Sequence, residues 1–300
     1  MPTPLKKPAL LPTLVALTAV GGLTALAVQL YRRPVETAAG VARAGMLLAG
    51  VREATCDAQG LPIHYYSAGR RGIPIVLIHG IGNSAEIWSS LIPRLGREYL
   101  VYAPDLPGFG KTPMAIEGVN IATHVLYLKH FLDALGYPRV ILVGNSLGGW
   151  IATRFAVAYP ERVEHLYLLN SAGLRREEMI SPYAIDRAAA QRSANHMLGF
   201  SLPLPSFILE GIFRISQMPA YASFVQGYDP QEELDTVLAQ VQTPTTIIWG
   251  IRDKIFPIAY AHDLHTGITN SELILLKNVG HLPQIQAPAR VARIILERGK

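Results

Sequence analysis

The chain has 300 residues, 50% of them hydrophobic and 16% charged; that length suits one large domain or a core with an insertion, and that composition excludes a disordered chain. The net charge of +5 is dispersed in short pairs such as Lys6-Lys7, Arg32-Arg33, Arg70-Arg71 and Arg175-Arg176, which argues against a nucleic-acid footprint and fits mild attraction to an anionic lipid surface. The single cysteine, Cys56, excludes an intramolecular disulfide and any cysteine-based zinc cluster.

At the N-terminus, Ala9 to Leu30 carries no charge and is rich in Leu, Val and Ala. At about 1.5 Å per helical residue, the stretch is long enough for a hydrocarbon core of about 30 Å. Three readings compete: a retained anchor stopped by Tyr31-Arg32-Arg33, a signal peptide cleaved near Ala25-Leu26-Ala27, and a buried core helix. The uninterrupted length and the aromatic-basic stop favour a single-pass anchor over residues 1–34, in the inner membrane if the source is bacterial. The alternative is a secreted or periplasmic protein. Positive charges on both sides leave the orientation open. Residues 35–60 are expected to form a juxtamembrane amphipathic segment.

Next the pattern alternates. Apolar runs at Ile73–His79, Leu100–Ala103, Val140–Val143, Leu166–Leu169, Thr245–Trp249 and Leu273–Leu276 predict strands. Between them, Ala85–Leu95, Ile121–Leu135, Leu147–Tyr159, Ile258–His265 and Ala289–Glu297 predict helices, and Thr55–Tyr66 predicts a hairpin. Short apolar strands separated by helices define an α/β fold: a mostly parallel sheet covered on both faces, with ligands at the carboxyl ends of the strands. The alternation lapses over 172–242. A structureless loop of that length is improbable in a compact domain, so this stretch is expected to be a helical cap between core segments 61–171 and 243–300.

Two motifs mislead. Gly80-Ile81-Gly82-Asn83-Ser84-Ala85 matches G-x-G-x-x-G/A, with Asp105 about 20 residues on, as a dinucleotide site requires. Asp105, however, opens the tight turn Asp105-Leu106-Pro107-Gly108-Phe109-Gly110, which leaves little room to reach a ribose. Gly110-Lys111-Thr112 resembles the end of a phosphate loop, but the glycine that loop needs at 105 is Asp and Pro113 interrupts the helix that should follow. The pairs His262/His265 and His124/His130 lack further ligands, and no metal or cofactor is expected.

Gly144-Asn145-Ser146-Leu147-Gly148 is a G-x-S-x-G match between a predicted strand and a predicted helix. At such an elbow the serine sits on a strained turn, and its flanking glycines let strand and helix approach. A serine hydroxyl also needs a base, and the base needs an orienting acid, in the chain order Ser, Asp or Glu, His. Asp253, after Trp249-Gly250-Ile251-Arg252, and His281, after Val279-Gly280, supply that order, each just beyond a predicted strand. The bland alternatives are a helix cap for Asp253 and a polar loop position for His281. The candidate catalytic residues are therefore Ser146, Asp253 and His281, with the backbone N–H groups of Ile81 and Leu147 as oxyanion donors.

Together, His79-Gly80-Ile81-Gly82, the Asp105–Gly110 turn, the Ser146 elbow, Trp249–Asp253 and Gly280-His281 resemble the α/β-hydrolase superfamily over roughly residues 61 to 300. The resemblance implies an eight-stranded, mostly parallel sheet with a helical cap after the sixth strand. Serine at 146 argues against the branches that use a carboxylate nucleophile. Two branches look close. Membrane-anchored monoacylglycerol lipase-type hydrolases and similar bacterial lipases match the apolar N-terminus and Asn278-Val279-Gly280-His281. The meta-cleavage carbon–carbon hydrolases share Gly144-Asn145-Ser146, but usually carry Trp after the catalytic His, where this chain has Leu282. The expected activity is serine ester hydrolysis of monoacylglycerols or similar acyl esters at a membrane. Carbon–carbon hydrolysis is the alternative, and a non-catalytic anchored binding protein is the rival of another class. The expected partners are a small acyl ester and membrane lipid, without nucleic acid.

Overall fold

The computed structural model describes residues 28–175 and 184–298. Most of the expected anchor, residues 1–27, lies outside them. Among the described residues no helix is long and apolar enough to cross a membrane. The first long helix is α1 (Pro34–Leu48), which starts at a proline, where the missing N–H costs no helical hydrogen bond.

The strands are β1 (Arg52–Ala58), β2 (Leu61–Ala68), β3 (Pro74–Ile78), β4 (Leu100–Pro104), β5 (Val140–Asn145), β6 (Val163–Leu169), β7 (Thr245–Gly250) and β8 (Ser271–Leu276). They form one eight-stranded sheet in the order β1-β2-β4-β3-β5-β6-β7-β8. β2 runs antiparallel to both β1 and β4, and every other pair is parallel. Arg52 pairs with Ser67 and Ala58 with Leu61, so the sheet begins at Arg52, inside the segment expected to be juxtamembrane. The expected boundary at 61 falls at the turn of this hairpin, because the alternation of half-exposed residues in β1 marks an edge strand.

Period-two alternation sends successive side chains to opposite faces of the sheet. Val76 and Ile78 join one buried cluster with Leu142, Ile151, Phe155 and Leu264. Ile75 and Leu77 join the other with Trp88, Val143, Tyr167 and Ile295. The first face is covered by α3 (Ile121–Ala134), α4 (Leu147–Ala158) and α8 (Ile258–Gly267), the second by α1, α2 (Ile92–Leu95) and α10 (Pro288–Arg298). The continuous helix expected over Ala85–Leu95 is instead a 3₁₀ turn, Ala85–Trp88, and the short α2. Pro93 lacks an N–H and clashes with the preceding turn of a longer helix, so it fits only the start of a new one.

Between β6 and β7 the chain leaves the sheet and forms α5 (Arg187–Leu198), α6 (Ser206–Ser216) and α7 (Pro219–Gln226). Asp186 caps α5, its side chain accepting from Ala189 N–H at 2.7 Å. A short helix, α9 (Pro283–Gln286), follows β8 and precedes α10.

Candidate active site

Ser146 is the only residue between the end of β5 and the start of α4. Its φ of 55° and ψ of −121° lie where L side chains are strained, at a typical cost of about 1–3 kcal/mol. Ser146 N–H donates to Leu169 O at 3.2 Å, and Ser146 O accepts from Gly149 N–H at 2.9 Å and Ala172 N–H at 3.0 Å, so neighbouring elements impose the conformation. The flanking glycines have a steric cause. A Cβ on Gly144 would lie 2.3 Å from Gly148 O, and one on Gly148 would lie 2.1 Å from Ile78 O.

Asp253 follows β7 and His281 follows β8, and His281 Nδ1 donates to Asp253 Oδ2 at 2.7 Å with both residues buried. With the proton on Nδ1, Nε2 carries the free lone pair. The carboxylate is saturated with donors. Oδ1 accepts from Ile255 N–H at 2.7 Å and Phe256 N–H at 3.1 Å, and Oδ2 also accepts from Asn170 Nδ2 at 2.7 Å. The His281 ring meets Phe256 edge-on at 5.3 Å, and its backbone N–H donates to Met197 O at 2.7 Å.

The structure thus joins Asp253 to His281 directly. Among the described residues the Ser146 hydroxyl has no side-chain hydrogen-bond partner, His281 included. Such nucleophile–base contacts commonly tighten only with substrate bound. The elbow is nonetheless tied to the base through the adjacent residue: Asn145 Nδ2 donates to His281 O at 3.1 Å and to Leu169 O at 2.9 Å, and Asn145 Oδ1 accepts from Gln284 Nε2 at 2.8 Å.

The loop after β3 lies against the serine, since a Cβ on Gly80 would be 3.1 Å from Ser146 Cβ. Among the described residues the N–H groups of Ile81 and Leu147 donate to no protein acceptor, as donors reserved for an oxyanion would. His79 braces this loop: Nδ1 donates to Gly80 O at 2.8 Å and Nε2 accepts from Leu106 N–H at 3.0 Å. Complete burial pushes the His79 pKa down, which preserves the neutral ring that can accept.

Asp105 is fully buried, so it has no path to a ribose. Oδ1 accepts from Ala85 N–H at 2.6 Å, and Oδ2 accepts from Lys111 N–H at 2.9 Å and His64 Nδ1 at 2.7 Å. His64 Nε2 lies 2.8 Å from Glu53 Oε1, and a ring that donates to two carboxylates is an imidazolium. Burial alone would lower the His64 pKa, but Asp105 and Glu53 outweigh it and raise it. Burial likewise works to raise the two carboxyls, and their donors overcome it: Asp105 is held below its ordinary value, and Glu53, with Arg43, Lys111 and His64 around it, falls to about 2. Lys111 thus serves an ion pair with Glu53.

Asn170, Gln284 and His64 are absent from the sequence-derived site. Asn170 had a readable signal: it stands just past the end of β6, as Ser146, Asp253 and His281 stand just past the ends of theirs, and its φ of 40° marks a turn. Gln284 and His64 had none, because their partners are distant in sequence. Above the site, Ile215 of α6 covers the loop after β3, with its Cγ2 2.7 Å from where a Gly82 Cβ would be. Trp150 Nε1 donates to Glu232 O at 2.7 Å, joining α4 to the end of the cap.

A protein-family model described as the alpha/beta hydrolase family matches residues 75–294. The chain is 28% identical over 285 residues to 2-hydroxy-6-oxononadienedioate/2-hydroxy-6-oxononatrienedioate hydrolase 2 of Pseudomonas putida, covering 83% of this chain and 94% of that one. Among solved structures it is similar to a membrane phospholipase A described as a bacterial virulence factor, with a TM-score of 0.77, 27% identity and 96% of each chain covered. It is also similar to a serine hydrolase involved in carbazole degradation, with a TM-score of 0.69 and 28% identity, covering 82% of this chain and 98% of that one.

Proposed function

The chain belongs to the α/β-hydrolase family, and on that premise we propose that it is a serine ester hydrolase acting on monoacylglycerols or similar acyl esters at a membrane. The observation that carries the reading is the buried Asp253–His281 pair facing the end of the sheet where Ser146 occupies a strained elbow. Ser146 Oγ attacks the ester carbonyl while His281 Nε2 takes its proton. The oxyanion is received by the N–H groups of Leu147 and Ile81, each such donor contributing about 3–4 kcal/mol to the transition state. The alcohol leaves with the proton from His281, and water, deprotonated by the same nitrogen, releases the acid from the acyl-enzyme.

Three observations support an ester substrate: the uncharged Ala9–Leu30 stretch, Leu282 in place of the Trp usual in carbon–carbon hydrolases, and similarity along 96% of both chains to a membrane phospholipase A. A second reading, carbon–carbon hydrolysis of a dienone acid, is supported by the Pseudomonas putida relative and by Asn145 beside Ser146.

The deciding experiment sets full-length protein and Ser146→Ala against p-nitrophenyl esters, monoacylglycerols, phospholipids and a meta-cleavage dienone, with fluorophosphonate labelling alongside. Serine-dependent ester turnover and labelling are expected. Faster turnover of the dienone than of every ester transfers the assignment to the second reading, and inertness towards the whole panel leaves a non-catalytic binding protein.

A further inference from the structure

The segment that enters from residues 1–27 meets the cap before it meets the sheet. The Tyr31 and Phe207 rings lie 5.5 Å apart. Further along the chain, Pro34 and Val35, the first residues of α1, cover Gly211 of α6, where a Cβ would be 2.9 Å from Pro34 Cγ and 3.0 Å from Val35 Cγ2. The start of α1 therefore runs beside α6 in the same direction. Traced towards the N-terminus, the chain leaves α6 at its first turn, where the α5–α6 connection arrives. That connection exposes Phe200 and Leu202, at 43% and 42%, and Tyr31, packed on Phe207 in the first turn of α6, is 67% exposed. It is held in place by side chains of α5: Gln191 Nε2 donates to Leu202 O at 2.7 Å and Asn195 Oδ1 accepts from Leu202 N–H at 3.0 Å.

We propose that Tyr31, Phe200 and Leu202 form a bilayer-docking tip, which enters the acyl boundary while guanidinium groups behind it meet anionic headgroups. Three features select lipid as the occupant. Tyr31 directly follows the uncharged Ala9–Leu30 stretch in sequence. Exposed Arg32, Arg33 and Arg192 lie within one or two turns of the tip, the arrangement of an interfacial helix. Opposing a second copy across the same face would set these guanidinium groups against one another.

The tip is continuous with the catalytic loops. The last turn of α5, just before Phe200, accepts the His281 N–H at Met197 O, and His196 O accepts Lys254 N–H at 3.3 Å, next to Asp253. At the other end of α6, Ile215 rests on Gly82. Docking thus presents the cap edge of the site to the lipid phase, which deepens the proposed membrane ester hydrolysis and rests on it for the substrate alone.

The test uses full-length protein reconstituted in phosphatidylcholine–phosphatidylglycerol vesicles. A nitrobenzoxadiazole label on Leu202→Cys, in a Cys56→Ser background, is exposed to nitroxide-labelled lipid and to aqueous iodide, with Ile73→Cys as the control remote from the tip. The Leu202 label is expected to be quenched by lipid and shielded from iodide, and the control the reverse. A Leu202 label open to iodide overturns the proposal, and so does one shielded from both quenchers, which places protein on the tip. In parallel, Phe200→Ser/Leu202→Ser should lower hydrolysis of vesicle-borne monoacylglycerol at least about tenfold while p-nitrophenyl butyrate turnover stays within about twofold. Equal losses on both substrates overturn the functional role of the tip. Lipid quenching without hydrolysis of any ester upholds docking and removes the ester reading, whereas ester hydrolysis with an iodide-open label does the opposite.

Discussion

The side-chain amide of Asn145 donates to the main-chain carbonyl of His281 at 3.1 Å, so the residue preceding the candidate nucleophile holds the loop of the candidate base. Asn145 is completely buried, and its second acceptor, Leu169 O, anchors the amide to β6. Removing it leaves His281 O and Gln284 Nε2 without a partner and takes one of two donors from Leu169 O, which keeps the Ser146 N–H, each lost buried hydrogen bond costing about 1–3 kcal/mol. Asn145→Ala is expected to lower kcat at least about tenfold with a smaller change in KM, because a shifted base affects the chemical step more than binding. Asn145→Asp should be worse at neutral pH, since a carboxylate would face two carbonyl oxygens, and the gap should narrow as pH falls and the acid protonates. Steady-state kinetics on both variants between pH 5 and about 8 check this.

Asn170 meets Asp253 Oδ2 from β6, the same oxygen that receives His281. Asn170→Asp would place a second carboxylate there, and the added negative charge favours the protonated imidazole. The acidic limb of kcat/KM is expected to move to higher pH. Asn170→Ala removes one donor, about 1.5–3 kcal/mol for a charged acceptor, and should lower the melting temperature without that displacement. A pH–rate profile of the three proteins separates positioning from simple packing.

The His64 cluster sets a stability window. His64 has a raised pKa in the fold, so its contribution is fully present below its ordinary value of 6.5 and is lost as pH rises through the folded value. Glu53 and Asp105 have lowered values, so theirs is present above about 4.5 and is lost as pH falls, for Glu53 down to about 2. Both contributions coincide between about pH 5 and 6.5. The melting-temperature difference between wild type and His64→Gln should be largest there and shrink on either side. A difference that is flat from pH 4 to about 9 would exclude an imidazolium between the two carboxylates.

Strain at Ser146 should be recoverable. Ser146→Gly adopts a φ of 55° without a Cβ penalty, while glycine gains freedom in the unfolded chain. The net gain expected is about 1 kcal/mol, or about 2–4 °C in melting temperature, with activity abolished. Gly148→Ala should do the reverse, since its Cβ would meet Ile78 O at 2.1 Å; calorimetry on both variants decides.

Central strands such as Val140–Asn145 were legible because burial on both faces demands an unbroken apolar run. The candidates Ser146, Asp253 and His281 could be named because each comes after an apolar run, the one before His281 being the half-buried edge strand β8. Asn145 could be read as part of a motif but not by its role, which depends on a carbonyl 136 residues away. Asp105 matches a ribose ligand by spacing and was set aside because it opens a tight turn; its role inside the protein, accepting from Ala85 N–H and His64, needed the fold. The first hairpin was expected over Thr55–Tyr66, and it begins earlier, at Arg52, because Arg52–Ala58 is an edge strand whose mixed polarity reads like a surface segment.

The chain has three tryptophans, and two of them, Trp88 and Trp249, are sealed in the core, where their emission cannot respond to events at the cap. Trp150 differs. Its indole N–H is held by Glu232 O and its ring meets Phe224 of α7 edge-on at 6.3 Å. Any displacement of the cap from α4 must break that bond and wet that ring, so intrinsic fluorescence follows the cap in the unlabelled protein, in real time.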